Sequence, residues 1–442
     1  MDSIWIVFLF MAFFFQFFLM KKNETINKFF LFFLFMSFLL WYFIPITLTL
    51  SGVDGVINFL QISHSDYFTL AIKELMFYLV IIILFNIFSR NVKVKYSKIK
   101  LVETKSINKK RFFIVLSVIV FVMYLIYISI YQMDYLSNNR IENQGNGFLQ
   151  LLTFFSSYIV SFFWIVILYG NKSKQKTLFV TLIIISTIVL VLSGARIYLL
   201  SVLFLLLFKM VKQTNIIRKT FSYIILSFTF VASLVLLPYI SNKRSGVDNY
   251  IILNSRGETY KIILEELNTK FNSIAYSSIL LKYDGENFAG FNPYIGSLVK
   301  FIPRIVWKDK PVPTSYNSDV SGMPSRRIPE LLGNRTDSFN TGTSSYAVSA
   351  WQLGYWTVLL AIILNILLFK LINHCFKNKS FYIKSFGFML IGFPQLVMLP
   401  SFGDNIIQKL MEASILLLIL LLFNILKMVQ SDEKYNYYRW NR

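Results

Sequence analysis

The densest group of residues that could do chemistry begins at the stretch FIPRIVWKDKP, residues 301–311, and continues to residue 335. Its basic members are Lys300, Arg304, Lys308, Lys310, Arg326, Arg327 and Arg335. A guanidinium group binds phosphate oxygens through two parallel hydrogen bonds, so several arginines around one pocket suit a pyrophosphate. The prolines of this segment stiffen its backbone. We therefore predict that its four arginines bind pyrophosphate. The alternative is a solvated basic surface that touches lipid headgroups.

One further arginine stands alone in an apolar setting. Arg196, in LVLSGARIYLLSVLF, lies between two short apolar runs. An arginine near hydrocarbon costs free energy and usually has a partner or a purpose. Gly194 and Ala195 are small enough for a headgroup to approach the backbone. We predict that Arg196 joins the pyrophosphate site; the alternative is an arginine that reaches the interface without a ligand.

Aromatic residues and proton acceptors accompany the cations. Flat apolar faces on which sugar rings can rest are offered by Trp307, Tyr316, Trp351 and Tyr355. Candidate catalytic bases are Asp309, Glu330, Asp337 and His64, and Asp319 is a further external candidate. We expect Asp404 to cap a turn or a helix. His64 would titrate near neutral pH, which suits a general base.

The rest of the chain must position these residues in a membrane. It has 442 residues, of which 56% are hydrophobic and only 15% charged. Apolar runs long enough to cross a bilayer recur, and only helices or closed barrels can do so. We predict an all-α polytopic membrane protein of eleven spans. They fall at about 4–20, 28–50, 68–88, 112–132, 148–169, 177–193, 197–208, 220–240, 346–369, 383–400 and 406–426.

The loops give the orientation. Loops rich in lysine and arginine alternate with loops nearly free of them, which places the N-terminus outside and the C-terminus in the cytoplasm. Three parts result: a membrane bundle at 1–240, a large periplasmic loop domain at 241–345 and a C-terminal membrane bundle with a tail at 346–442. Ile263, Leu267, Phe271 and Ile274 recur at helical spacing and predict an amphipathic helix over the outer face.

Composition limits the chemistry. The net charge of +22 is explained by basic cytoplasmic loops, so we expect no nucleic acid partner. A single cysteine, Cys375, excludes an internal disulfide, and two histidines make a histidine-rich metal site improbable. The sequence shows no nucleotide-binding or zinc motif, and we expect no metal and no cofactor.

Three elements of the sequence resemble the O-antigen polymerases, the Wzy-type oligosaccharide repeat-unit polymerases of Gram-negative bacteria. FIPRIVWKDKP at 301–311 is similar to their Pro-Arg, tryptophan and Lys-Pro pattern. SGARIYLL at 193–200 matches their small-residue and arginine element, with Arg196 at the arginine. TGTSSYAVSAWQLGYWTVLL at 341–360 resembles their entry into the span after the large loop, and it adds Tyr346 to the glycan-binding candidates.

The resemblance implies a function. It implies a membrane glycosyltransferase of GT-C-like architecture in the bacterial inner membrane, acting on undecaprenyl-pyrophosphate-linked oligosaccharide at the periplasmic face. The growing glycan would pass from one lipid pyrophosphate to a sugar hydroxyl of a new repeat unit, as in lipopolysaccharide biosynthesis. Membrane lipids would surround the enzyme, and a chain-length regulator protein could be a further partner. The alternatives are an O-antigen ligase and a lipid-linked oligosaccharide flippase or other transporter.

Two positions depart from the family pattern. Ser345 stands where many relatives carry an acidic residue, and the last external turn reads SFGDN where some have Arg-Gly. The resemblance therefore assigns no catalytic base.

Overall fold

The computed structural model describes part of the chain. The described residues are 2–22, 27–89, 264–265, 268, 272–299, 302, 306–311, 344–378, 383, 386–387, 390, 403–411, 413–415 and 417–418. Within these ranges the chain is mostly helical and forms no strand. This much of the predicted all-α fold is confirmed.

Eight α-helices have bounds within the described residues. They are α1 Asp2–Lys22, α2 Asn27–Phe38, α3 Ile44–Leu50, α4 Gly55–Phe59, α5 His64–Ser89, α6 Ser273–Tyr283, α7 Asn292–Val299 and α8 Ser345–Lys377. A π-helical turn, Leu39–Phe43, joins α2 to α3 without a break. The described residues between 403 and 418 are also helical.

Four predicted spans coincide with helices. The runs at 4–20, 28–50, 68–88 and 346–369 lie within α1, α2–α3, α5 and α8. Two segments, His64–Phe88 and Ser345–Lys377, are long and apolar enough to cross a membrane. This is compatible with an all-α membrane protein. Five predicted spans lie entirely outside the described residues, the last two and the 241–345 loop lie partly outside them, and the count of eleven stays a prediction.

Helix α5 begins at a local capping signal. The Ser63 hydroxyl accepts the Asp66 backbone N–H at 3.0 Å, which satisfies one donor that the first helical turn leaves free. Mostly apolar residues, interrupted at Lys73 and Glu74, then continue to Ser89, and α8 and α6 pack against this helix. Helix α5 is therefore the element against which the site is assembled.

Helices α5 and α8 run in the same direction. Phe77, at the middle of α5, contacts Tyr346 at the start of α8, with ring centroids 6.3 Å apart, and Phe85 contacts Phe369, further along both helices, at 4.8 Å. Although α8 begins beside the middle of α5, the two helices therefore share one direction. The predicted threading requires this, because it starts both spans at the outer face.

Helix α8 is broken near its start. Leu353 (φ −140°, ψ 42°) and Gly354 (φ 57°, ψ −139°) leave the helical region. A helix rises roughly 1.5 Å per residue, so a straight α8 would separate Tyr346 from Phe369 by about 35 Å, whereas Phe77 and Phe85 are about 12 Å apart along α5. The segment 345–352, the half-helix, is therefore turned against the long segment 355–377. The long segment alone, at about 35 Å, is long enough for a bilayer core.

Helix α6 differs in burial from the amphipathic helix that we predicted. It begins after an N-cap, where the Asn272 side chain accepts the Ala275 N–H at 3.1 Å. Every residue from 273 to 280 is buried, and the helix packs against α5 and α8. Small residues such as Ser273 and Ser277 allow this close approach. The other three residues of the predicted pattern, Ile263, Leu267 and Phe271, lie outside the described residues.

Candidate functional site

A buried carboxylate holds the N-terminus of the half-helix. Glu74 of α5 has no exposed surface; its Oε2 accepts the Tyr346 N–H at 3.1 Å and its Oε1 accepts the Ala347 N–H at 2.9 Å. The Tyr42 hydroxyl donates to Oε2 at 3.5 Å. The first N–H groups of a helix lack intrahelical partners and carry partial positive charge, so they compensate a carboxylate that burial would otherwise penalise.

Ser344, the first described residue after the arginine-bearing segment, lies at the same place. Ser344, the residue before the half-helix, is buried, and its N–H donates to the Ser277 hydroxyl of α6 at 2.8 Å. Ser344 thus joins α6 to the start of the half-helix, two residues before Tyr346, whose N–H binds Glu74. Arg326, Arg327 and Arg335, which precede Ser344 in the chain, lie outside the described residues.

The loop after α6 completes the other end of the half-helix. The Asn287 N–H donates to the Ala350 carbonyl and the Ala289 N–H to the Trp351 carbonyl, both at 3.1 Å. These bonds satisfy carbonyls that the break at Leu353 and Gly354 removes from the helical pattern. The Trp351 indole N–H also donates to Asp284 Oδ2 at 3.1 Å.

A second set of buried polar residues surrounds the break in α8. The Gln352 side-chain amide donates to Asp404 Oδ1 at 2.7 Å, and Lys409, only 2% exposed, is close enough to interact electrostatically with Asp404. The Tyr294 hydroxyl of α7 lies against Gly403. Burial, with a smaller contribution from the Asp404 charge, raises the pKa of Tyr294. Asp404 thus joins the half-helix to the C-terminal helical residues.

Most of the predicted site lies outside the described residues. This applies to the predicted pyrophosphate ligands, and also to Glu330, Asp337 and Tyr316. The ligands concerned are Arg196, Arg304, Arg326, Arg327 and Arg335. Their roles stay predictions.

Two predicted bases are described. His64 is the first residue of α5; its side chain is half exposed, and its Nε2 lies 3.3 Å from Asp54 Oδ2. A carboxylate in this position orients the imidazole, which is the arrangement a general base uses. Asp309 is exposed in the turn at 306–311, next to the partly exposed Trp307. Both residues are accessible.

Tyr346 and Trp351 are both buried, and Trp351 has no exposed surface. Tyr346 packs on Phe77, and the Lys73 ammonium lies 5.9 Å from its ring centroid. Trp351 stacks on Phe288, with centroids 5.6 Å apart. In this arrangement Trp307 offers its ring to a sugar more readily than these two do. Glycan binding by these residues stays a prediction.

The sequence analysis did not identify Glu74 and Lys409, and it predicted only a capping role for Asp404. A usable signal was present: Lys73 and Glu74 interrupt the apolar run of α5, and ionisable residues inside such runs mark functional or tightly paired positions. The groups that stabilise the buried Glu74 carboxylate could not be predicted from the sequence, because Tyr346 and Ala347 are more than 270 residues away.

Comparisons with known proteins identify no relative. No family model, no curated protein and no solved structure matches this chain.

Proposed function

We propose that this protein is a membrane glycosyltransferase that polymerises a surface polysaccharide of the O-antigen type. It moves a growing glycan from undecaprenyl pyrophosphate to a sugar hydroxyl of a lipid-linked repeat unit. The proposal places it in the bacterial inner membrane, with eleven spans, a GT-C-like architecture and its site at the periplasmic face.

The arginine-rich segment at 300–335 carries the proposal. Its basic residues follow α7, and its C-terminal side leads to Ser344, which is buried beside Glu74 and Ser277. We expect this segment to present several guanidinium groups to one place, as a pyrophosphate needs. Arg196 would supply a further cation from the membrane boundary.

The reaction needs two functions from the chain. The acceptor hydroxyl attacks the anomeric carbon of the donor glycan, a new C–O bond forms, and the bond from that carbon to the pyrophosphate oxygen breaks. Arginines stabilise the charge that develops on the departing pyrophosphate. A base takes the hydroxyl proton; the candidates are Asp309, Glu330, Asp337 and His64, of which His64 has a carboxylate, Asp54, to orient it.

Substitution of the arginines tests the proposal. We expect Arg196→Ala and Arg304→Ala to leave lipid-bearing single repeat units while long glycans disappear from the lipopolysaccharide ladder. Lys370→Ala is the matched control, because this cation lies near Phe88 at the other end of α8, 4.4 Å from the ring centroid. Wild-type chain lengths in both arginine variants would remove the assignment.

A carrier is the second candidate. Transporters place ionisable residues and broken helices inside the membrane, and here Glu74, Asp404 and Lys409 are buried around the broken α8. The ladder of a deletion strain separates the classes. A single-unit band indicates a polymerase, whereas complete loss of surface repeats indicates a transporter or an O-antigen ligase.

A further inference from the structure

Helix α7, Asn292–Val299, has its polarity reversed relative to a helix of a water-soluble protein. Its buried residues are Pro293, Tyr294, Gly296 and Ser297. Its large apolar residues point away from the protein: Ile295 is 37% exposed and Leu298 50% exposed. A soluble domain would bury these two side chains and expose the small and polar ones.

The exposed apolar residues form one stripe. Ile295 and Leu298 lie three residues apart on one face of α7, and Phe291, which immediately precedes the helix, lies four residues before Ile295. Phe288 precedes them, and Ile302 and Val306 follow, all exposed. We call these six residues the α7 stripe. A run of exposed large apolar residues of this kind marks a surface that another apolar phase covers.

The stripe is continuous with the apolar outward face of α8. Phe288 stacks on Trp351, and Asn287 lies against Gly354. The next residues, Tyr355 and Trp356, are 70% and 75% exposed and begin the long segment of α8. Its outward side continues with exposed apolar residues at helical spacing, namely Leu359, Ile363 and Leu367.

This position corresponds to a membrane boundary. Tyrosine and tryptophan concentrate at the level of the lipid headgroups, so Tyr355 and Trp356 mark that level on α8. The α7 stripe lies beside them, and the exposed Lys308 follows the stripe. An apolar face beside a basic residue suits the boundary between headgroups and acyl chains.

We infer that α7 is an interfacial helix, with the α7 stripe inserted in the leaflet at which α5 and the long segment of α8 begin. The occupant of the stripe is membrane lipid. This location holds the described residues 307–311 at headgroup level, and it does not depend on what reaction the protein performs.

Fluorescence quenching in vesicles tests the inference. Full-length protein with Cys375→Ala has no other cysteine, so Ile295→Cys or Leu298→Cys can be labelled singly with a polarity-sensitive dye. The protein is reconstituted alone in vesicles that contain lipids with shallow nitroxide groups. Leu359→Cys is the lipid-facing control, and Ser65→Cys, exposed near the start of α5, is the aqueous control.

We expect the dyes at 295 and 298 to be quenched by the nitroxide lipids, as at 359, and protected from aqueous iodide. Two positions are used so that one misfolded variant does not decide the result. Iodide quenching like that at 65 would overturn the inference. Protection from iodide without lipid quenching, together with cross-linking between copies, would overturn it in favour of self-association.

Discussion

At the scale of single residues, Glu74 is the group whose environment says most about the site. Both carboxylate oxygens accept backbone N–H groups from the half-helix, and nothing of the side chain reaches the surface. With both oxygens so engaged, Glu74 is better placed to hold the half-helix than to accept a proton from substrate. Its role in our account is positioning, and Asp309, Glu330, Asp337 and His64 stay the predicted candidates for the base.

Replacing Glu74 should therefore destabilise the protein. Glu74→Gln removes one acceptor oxygen and presents an amide N–H₂ to backbone donors, which leaves a buried N–H unsatisfied at a cost of about 1–3 kcal/mol. We expect a lower midpoint of thermal unfolding in detergent. Glu286→Gln is the control, because Glu286 is partly exposed and lies 3.9 Å from Lys73. Equal midpoints for the two variants would contradict the positioning role.

The N-cap of α5 gives a second prediction for a single residue. Ser63→Ala removes the acceptor of the Asp66 N–H and should cost about 1 kcal/mol. Ser65→Ala, at an exposed position two residues on, is the control. Thermal unfolding of both variants measures the difference. If Ser65→Ala lowers the midpoint as much as Ser63→Ala does, the capping argument fails.

Residue types, but not partners, could be predicted from the sequence. The clustered arginines are conspicuous because they stand in a chain that is otherwise apolar. The pairing of Glu74 with Tyr346 and Ala347 depends on helix packing between distant segments, and no local pattern reports it. Asp404 looked like a turn residue for the same reason, whereas the structure joins it to Gln352.

At the scale of elements, the break in α8 decides the geometry. It lets the half-helix turn its N-terminus toward Glu74 while the long segment follows α5. Gly354 makes this possible, because its φ of 57° and ψ of −139° suit only glycine and because a Cβ there would lie 2.6 Å from Asn287 Oδ1.

Gly354→Ala should therefore be more damaging than an ordinary glycine replacement. We expect backbone strain of about 1–3 kcal/mol, plus displacement of the loop at Asn287. Gly52→Ala is the matched control, because Gly52 also has a positive φ, 79°, but nothing lies within 4 Å of its added Cβ. Thermal unfolding should rank Gly354→Ala below Gly52→Ala. The reverse order would show that the contact with Asn287 is unimportant.

The positions of several helices could be predicted, because the apolar runs at 68–88 and 346–369 fall within α5 and α8. The break could not. Leu353 and Gly354 lie within TGTSSYAVSAWQLGYWTVLL, and glycine is common in helices that cross membranes. The burial of every residue from 273 to 280 in α6 was not predicted either. Serine is usually an exposed residue, and the sequence does not show which helices pack around it.

At the scale of the whole molecule, the parallel course of α5 and α8 agrees with the predicted threading. That threading also places residue 290 outside and residue 100 in the cytoplasm. A reporter active only in the periplasm should be active when fused near 290 and silent near 100. The opposite pattern would invert the topology and move the arginine-rich segment to the wrong side for a periplasmic substrate.

The central claim is glycan transfer from a lipid pyrophosphate, and reconstitution measures it most directly. Purified full-length protein in vesicles is supplied with undecaprenyl-pyrophosphate-linked repeat units. We expect elongated glycan and one released undecaprenyl pyrophosphate for each bond formed, with both products lost in folded Arg304→Ala protein. Movement of intact repeat units across the bilayer, with no elongation and no released carrier, would contradict the account.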